Sequence, residues 1–382
     1  MPIDAQQEQY VTKPGQPPID RRSFLAAGAM ALALGGYSAA AAGKPRFMMD
    51  GLSFLPEDLA EIGGAGLGGM ICDISEIEEV RDKDNVPRYL RTFEKCSAAL
   101  DAAVARLANR PEAFVALKGS DIGTRPGCAT FLQFQSCEPV GTDLARIADF
   151  QRRGLRVLQF THHNNNLFAG GALEREWSGL TPLGIEGLAE MNRVGIVPDV
   201  SHGSEPTMLD AARRSSTPIL LSHGACKAIV DHPRCASDTV IKTIADKGGM
   251  MGIFMMSFWL TRDATPTVDH LIAQIRHVAN IAGIEAVGIS NDFPMAGQTN
   301  LVALNNDNAE GVKEYLPWWQ AMREQRIAGF DWTPEHVVIP ELNNIRRMAT
   351  IAAALDKARF RSRDIERIMG GNWRRVLTDV LG

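Results

Sequence analysis

Within residues 179–234 two short apolar runs, Gly195–Val200 and Pro218–Leu221, each stop at a Ser-His pair, giving His202 and His223. Each run is followed by apolar residues at helical spacing, so the stretch is a strand-helix unit read twice. When parallel strands alternate with helices, the side chains at the C-terminal ends of neighbouring strands share one pocket. Two adjacent strands that both stop at histidine therefore bring two imidazoles within reach of one ion or one proton. A single histidine there would be read as a turn residue bonded to the backbone. The repeated Ser-His, at the same place in consecutive units, points to a metal or proton-transfer site.

The same alternation runs from Pro45 to the C-terminus. Strands are expected at Phe47–Asp50, Gly68–Asp73, Ala129–Gln135, Leu155–Thr161, Gly195–Val200, Pro218–Ser222, Met250–Met255 and Glu285–Ser290. Helical spacing fills Ala99–Leu107, Leu144–Arg152, Leu183–Arg193 and Val268–Ile281. Eight such strands close a (β/α)8 barrel of the TIM type, whereas a doubly wound sheet usually has fewer and often a glycine-rich phosphate turn after the first. Asp50-Gly51-Leu52-Ser53 is no such turn. Residues 46–382 are thus expected to form one α/β barrel domain. The segment from Pro294 to about Thr333, holding Trp318, Trp319 and Trp332, reads as a long loop over the pocket mouth, a lid or an interface. Pro334–Leu381 reads as a helical tail that closes the barrel.

Residues 1–45 stand apart as a targeting segment. Asp20-Arg21-Arg22-Ser23-Phe24-Leu25 is a twin-arginine pattern, and the uncharged Ala/Gly-rich run behind it, to Ala42, offers Ala-x-Ala cleavage sites. That run is too weakly hydrophobic for a good membrane span. Cleavage and export of the folded protein, to the periplasm or otherwise beyond the inner membrane, are expected. The 40 basic residues nearly balance the 45 acidic ones, with no basic run after the leader, which argues against a nucleic-acid surface. Cys128 and Cys137 are separated by an extended run too long for a disulfide. Cys72 with Cys137, Cys226 with Cys235, and free buried thiols all remain open.

Seven polar residues fall near expected strand ends: Asp50, Asp73, Gln135, His162, His202, His223 and Asp292. As a ring they would make a titratable mouth. Here the sequence resembles a known family. GLTPLGIEGLAEMNRVGIVPDVSH, PILLSH, HPR and VGISNDF are similar to the membrane (renal) dipeptidases, the M19 metallopeptidases of the amidohydrolase-like barrels, over nearly the whole chain after the leader. The resemblance implies a metal-dependent-hydrolase barrel acting on dipeptides. It implies that His202 and His223 bind one of two zinc ions, that Arg234 holds the substrate carboxylate, that His162 contacts the scissile group, and that Asp292 handles the attacking water.

The departures are specific. The family's first strand ends Asp-Gly-His-x-Asp, and its His and Asp bind the other zinc; Leu52 and Phe54 occupy those positions here. The bridging glutamate of the third strand is replaced by Gln135, whose neutral amide brings no charge to offset two cations. A similar DGL opening and FQ third strand mark a bacterial branch of the family. At most one ion is expected, zinc or another divalent metal, on His202 and His223 with Asp292 as third ligand. Three functions follow: a mononuclear hydrolase of dipeptides or similar small amides, a non-hydrolytic enzyme moving protons on a peptide-derived metabolite, or a binding protein that keeps only the carboxylate grip. The partners expected are a small peptide-like substrate and the twin-arginine export machinery, with a homodimer left open. If the leader reading holds, changing both Arg21 and Arg22 to Lys traps the protein in the cytoplasm, as cell fractionation would read; unchanged export refutes it.

Overall fold

The computed structural model describes residues 46–81, 87–297 and 309–382, so the twin-arginine segment lies outside the described residues. The first half of the chain runs β1 (Met49–Phe54), α1 (Ala60–Ala65), β2 (Gly69–Asp73), β3 (Glu78–Arg81), β4 (Pro87–Leu90), α2 (Phe93–Leu107), β5 (Ala113–Val115), β6 (Cys128–Phe134), α3 (Ala145–Arg153) and β7 (Leu155–Gln159). Then come α4 (Pro182–Val194), β8 (Val197–Asp199), α5 (Glu205–Arg214), β9 (Leu220–Gly224), α6 (Asp238–Asp246), β10 (Met250–Ile253), α7 (Ser257–Leu260), α8 (Val268–Ala282) and β11 (Val287–Ile289). The tail carries α9 (Ala309–Glu324), α10 (Arg347–Lys357), α11 (Ser362–Glu366) and α12 (Asn372–Leu381).

Eight parallel strands follow one another in the order β1-β2-β6-β7-β8-β9-β10-β11. These are the eight expected strands, wound as a nearly closed (β/α)8 barrel. The seam between β11 and β1 is held by side chains as well as backbone. The Asp292 N–H donates to the Leu52 carbonyl at 3.0 Å. Asn291 donates its backbone N–H and its side-chain amide to the two oxygens of Asp50, at 2.8 and 2.7 Å. Asp50 is buried, and desolvation pushes its carboxyl up to about 6. β1 also runs on to Phe54, so Asp50 lies near its start and works as a clasp, correcting its place in the expected ring at the mouth.

Local sequence sets the turns into the helices that follow the functional strands. Thr181, Ser204 and Ser237 are N-caps of α4, α5 and α6, each accepting a hydrogen bond from the backbone N–H three residues on. Pro182 and Pro206 sit in the first turn, where no intrahelical donor is lost. α4 ends at Gly195, whose φ of 73° is the left-handed conformation that turns the chain into β8.

The barrel interior is a separate core. Met49, Ile71, Phe131, Val157, Val197, Leu220 and Met250 form one cluster with Trp373, Val376 and Leu377 of α12. Several of these open their strands, so α12 plugs the N-terminal end and leaves the C-terminal end for chemistry. The Trp373 indole donates to the Ile289 carbonyl at 3.0 Å. It occupies space left by missing side chains: a Cβ on Gly51 would lie 2.1 Å from its ring, and one on Gly288 2.5 Å from its nitrogen.

Three features differ from the sequence reading. β5, only three residues long, pairs with Cys128–Thr130 of β6 below the point where β7 begins, and β3 and β4 form a small antiparallel hairpin. The expected loop over the mouth contains helix α9, with Trp318 and Trp319 buried against Phe258, Trp259 and Phe330; residues 298–308 of that stretch lie outside the described residues. All six cysteines are free and buried. No helix among the described residues is long and apolar enough to cross a membrane. Because Trp373 fills the interior and bonds its polar edge, Trp373→Ala should cost about 3–5 kcal/mol, read as a lower urea midpoint at unchanged slope.

Candidate active site

Four imidazoles meet at the C-terminal end of the barrel. His162 and His163 follow β7, His202 follows β8, and His223 lies within β9. His202 has a φ of 64° and Asp292 a φ of 53°, backbone conformations that side chains with a Cβ seldom adopt and that strained functional sites often hold. The His162 ring stacks on His202 at 4.1 Å between centroids. Nδ1 of His202 lies 3.2 Å from Nδ1 of His163, and its Nε2 lies 2.7 Å from Nε2 of His223. His223 Nδ1 in turn lies 2.8 Å from the Ser222 hydroxyl.

Beneath the imidazoles sits Asp199. Its Oδ1 accepts from the Ser201 N–H, the Ser201 hydroxyl and the Ser222 N–H, at 3.0, 2.8 and 3.0 Å. Its Oδ2 accepts from the Gln133 amide at 2.8 Å and the Ser222 hydroxyl at 2.5 Å. The serines before both histidines are thus the means by which one buried carboxylate orients the two strand ends. Sequence reasoning passed over Asp199 and His163. The signals existed: Asp199 lies two residues after Val197, on the same inward face of the strand, and His163 is the second of two adjacent histidines.

All four rings are held neutral. Burial pushes His163, His202 and His223 well below the ordinary imidazole value, and the Arg234 guanidinium is the next cause for each. His162, half-exposed at the rim, is lowered in the same way, with Arg91 as the next cause. Neutral rings keep a lone pair for an ion or a proton.

Arg234 is fully buried, its guanidinium 5.3 Å from the ring centre of Phe254 and 5.5 Å from that of Trp259. Nη2 donates to the His223 carbonyl at 3.2 Å, while Nε and Nη1 have no hydrogen-bond partner among the described residues. Burial lowers its pKa to about 10, against the field of Asp292, which raises it. A cavity of about 510 Å³ opens beside His163, walled also by Asn164, Asn165, Glu174, Arg175 and Trp318.

The residues do not fit two metal ions. Leu52 is buried hydrocarbon in β1 and Phe54 is half-buried at its end. The Gln135 amide is spent on Asp73, donating to Oδ2 at 2.9 Å, while Ser75 bonds Oδ1 at 2.7 Å. A single ion does fit the donors present. Among the described residues, the ligand atoms of His162, His163 and His202 lie within 4.8 Å of one another. His223 touches that group through His202, and Asp292, expected as the third ligand, is not part of it.

The comparisons with known proteins agree with this architecture. The family model of membrane dipeptidase, peptidase family M19, matches residues 66–309. The dipeptidase tcpJ of Claviceps purpurea is 28% identical over 259 residues, 66% of this chain and 51% of that protein. The dipeptidase verJ of Clonostachys rogersoniana is 30% identical over 169 residues, 43% of each, so the chain spans about half the length of the curated relatives it matches. A solved amidohydrolase from Pseudomonas aeruginosa superposes with a TM-score of 0.72 at 24% identity, covering 88% of this chain and 97% of that one. With a barrel of the same kind and a family match over more than half its length, the chain belongs to the membrane dipeptidase family, peptidase family M19.

Proposed function

We propose that the chain is a dipeptidase-like hydrolase of small amides that carry a free carboxylate, working with at most one divalent ion, zinc or another, and exported by the twin-arginine route. The observation that carries this reading is the buried guanidinium of Arg234, with N–H groups unpartnered among the described residues, beside a bank of neutral imidazoles. A desolvated cation with donors to spare gains most from an anion that matches its planar fork, and the terminal carboxylate of a dipeptide is such an anion. Held there, the amide would be positioned against the imidazoles, which removes the entropy of bringing the groups together from the barrier. Asp292, half-buried at the end of β11, is the carboxylate suited to take the proton of the attacking water. His162, the half-exposed ring of the four, is the one an incoming substrate meets. An ion bound to the imidazoles would polarise the scissile carbonyl and make water more acidic. The curated relatives named above are dipeptidases, which supports the substrate class.

A second reading has its own support. The first-strand ligands are replaced by Leu52 and Phe54, and the contacts from His163 through His202, His223 and Ser222 to Asp199 form a continuous hydrogen-bonded line. Such a line moves protons without an ion, as a non-hydrolytic enzyme acting on a peptide-derived metabolite would need. Metal content measured beside turnover on a panel of dipeptides separates the readings: hydrolysis that follows the metal supports the first, and a metal-free protein with no hydrolysis supports the second.

Replacing Arg234 tests the carboxylate grip. Charged hydrogen bonds of this kind contribute about 1.5–3 kcal/mol, so Arg234→Met should weaken binding of carboxylate ligands about 10- to 150-fold while leaving their amides little changed. Equal losses for both, measured by calorimetry, count against the role. Stability should also depend on pH in a definite direction. In the unfolded chain each histidine takes up a proton near about 6.5, whereas the four buried rings resist it, so below that pH the unfolded state binds more protons and stability falls. His232, lowered to about 3, adds to the effect. Asp50, raised to about 6, opposes it as a single group, binding its proton in the native state first. In chelator, the melting temperature should therefore drop from pH 7 to pH 5, and His202→Gln should flatten that slope.

A further inference from the structure

We propose that the cavity beside His163 receives the amino-terminal residue of the substrate, and that Glu174 selects a basic side chain there, lysine or arginine. The inference rests on the reading of the chain as a hydrolase whose Arg234 grips a terminal carboxylate.

The sequence of contacts across the site sets the direction in which a bound substrate runs. Arg234 is held at the His223 carbonyl, the His223 ring meets Nε2 of His202, and His163 meets Nδ1 on the other side of that ring. A molecule whose carboxylate is at Arg234 therefore extends along the imidazoles toward His163, where the cavity opens. The residue on the amine side of the scissile bond is the part that reaches it. At about 510 Å³ the cavity falls within the range of sites that enclose small ligands, about 300–1,000 Å³, and it has room for a long side chain.

Its wall combines hydrocarbon with charge. Leu173, Trp318, Met322 and Ile327 are buried residues that give it an apolar lining, and Glu174, half-buried, supplies a carboxylate. Arg175 and Glu176 also line it, but both are exposed and their opposite charges are screened by water. A bare ammonium would leave the apolar lining uncovered. A cation at the end of a methylene stem covers that lining and carries its charge to the carboxylate, which describes the side chain of lysine or arginine.

Glu174 is in place before any ligand arrives. Its Oε1 accepts from the Asn165 N–H at 2.9 Å and from the Asn164 side-chain amide at 3.3 Å. Among the described residues its Oε2 has no hydrogen-bond partner and the carboxylate has no ion pair. The loop that carries it is tied to the site, because the N–H groups of Leu173 and Ala172 donate to the carbonyls of His163 and His202, at 3.0 and 2.8 Å. A carboxylate fixed in this way loses little freedom when it pairs with a cation.

The test uses dipeptides that share a carboxy-terminal alanine: lysyl-alanine, arginyl-alanine and norleucyl-alanine, the last keeping the stem without the charge. Binding to the full chain is measured by calorimetry, with kcat/KM beside it. The basic peptides should be preferred over norleucyl-alanine about 5- to 20-fold at low salt, more than an exposed pair would give and less than a fully buried one. That ratio should fall toward one in Glu174→Gln and as salt is raised, while Glu176→Gln should leave it within about twofold. All three peptides carry the same α-ammonium, so the ratio isolates the side chain. A ratio near one in the wild type, a ratio kept in Glu174→Gln, or an equal loss for all three peptides in that variant overturns the inference while dipeptide hydrolysis stands. Absence of turnover, or peptide amides bound as tightly as the acids, with the ratio intact overturns the proposed function and supports the subsite. No binding of any peptide overturns both. The wild-type ratio and its salt dependence need no substitution, so a variant that fails to fold leaves the question decidable.

Discussion

The site depends on the Asp199 carboxylate. It is buried, among the described residues without an ion-pair partner in contact, and it is stabilised by five hydrogen bonds from Gln133, Ser201 and Ser222. Losing any of them would leave a buried charge less compensated, which is why the surrounding strands cannot easily shift. The ladder between β8 and β9 has a single residue pair, Asp199 with Leu220, and the side chain adds the contacts that a longer ladder would have supplied. Through Ser222 the same carboxylate decides which nitrogen of His223 carries a hydrogen. Fold and chemistry share this one group.

The opposite seam is closed by a similar device. Asp50 accepts three hydrogen bonds, from Leu52 and twice from Asn291, within the field of Arg347. Arg347 is itself buried and holds the carbonyl of Pro294 at 2.6 Å, fixing the chain just after Asp292. Below the seam, Trp373 takes the volume left open by Gly51 and Gly288. β1 and β11 lack a regular ladder with each other, so polar side chains and a packed indole do what backbone pairing does elsewhere in the barrel.

Most of the barrel was legible because its strands are buried on both faces and read as unbroken apolar runs with helical spacing between them. The boundaries shifted by a few residues, and for β1 that shift moved Asp50 from the mouth to the seam. β5 escaped because three residues are too few for a periodic signal, and α9 because Pro317 and the tryptophans of that stretch resemble loop punctuation. In the site, His202, His223 and Arg234 were marked by repetition and by family resemblance. Asp199 and His163 were not, since a lone acid in an apolar run and the second of two adjacent histidines gain meaning only when the strand faces are known. Similarly, Gln135 showed in the sequence that a charge was missing, but only the fold showed that its amide is engaged by Asp73.

The positive charge of Arg234 bears on all of these groups. It is the second cause, after burial, of the low basicity of His163, His202 and His223, and it also opposes any cation brought beside them. Under the proposed function, an anion that pairs with the guanidinium would cancel part of that field, and the rings would become better bases and better ligands. Linkage makes the effect reciprocal: whatever raises the positive charge on the imidazole side strengthens the hold on the carboxylate. Under that proposal, the cost of placing this arginine beside a histidine cluster would be offset by a coupling between substrate capture and the chemical groups. It requires only that Arg234 be fully buried, because in water the same charge would be screened before it reached the rings.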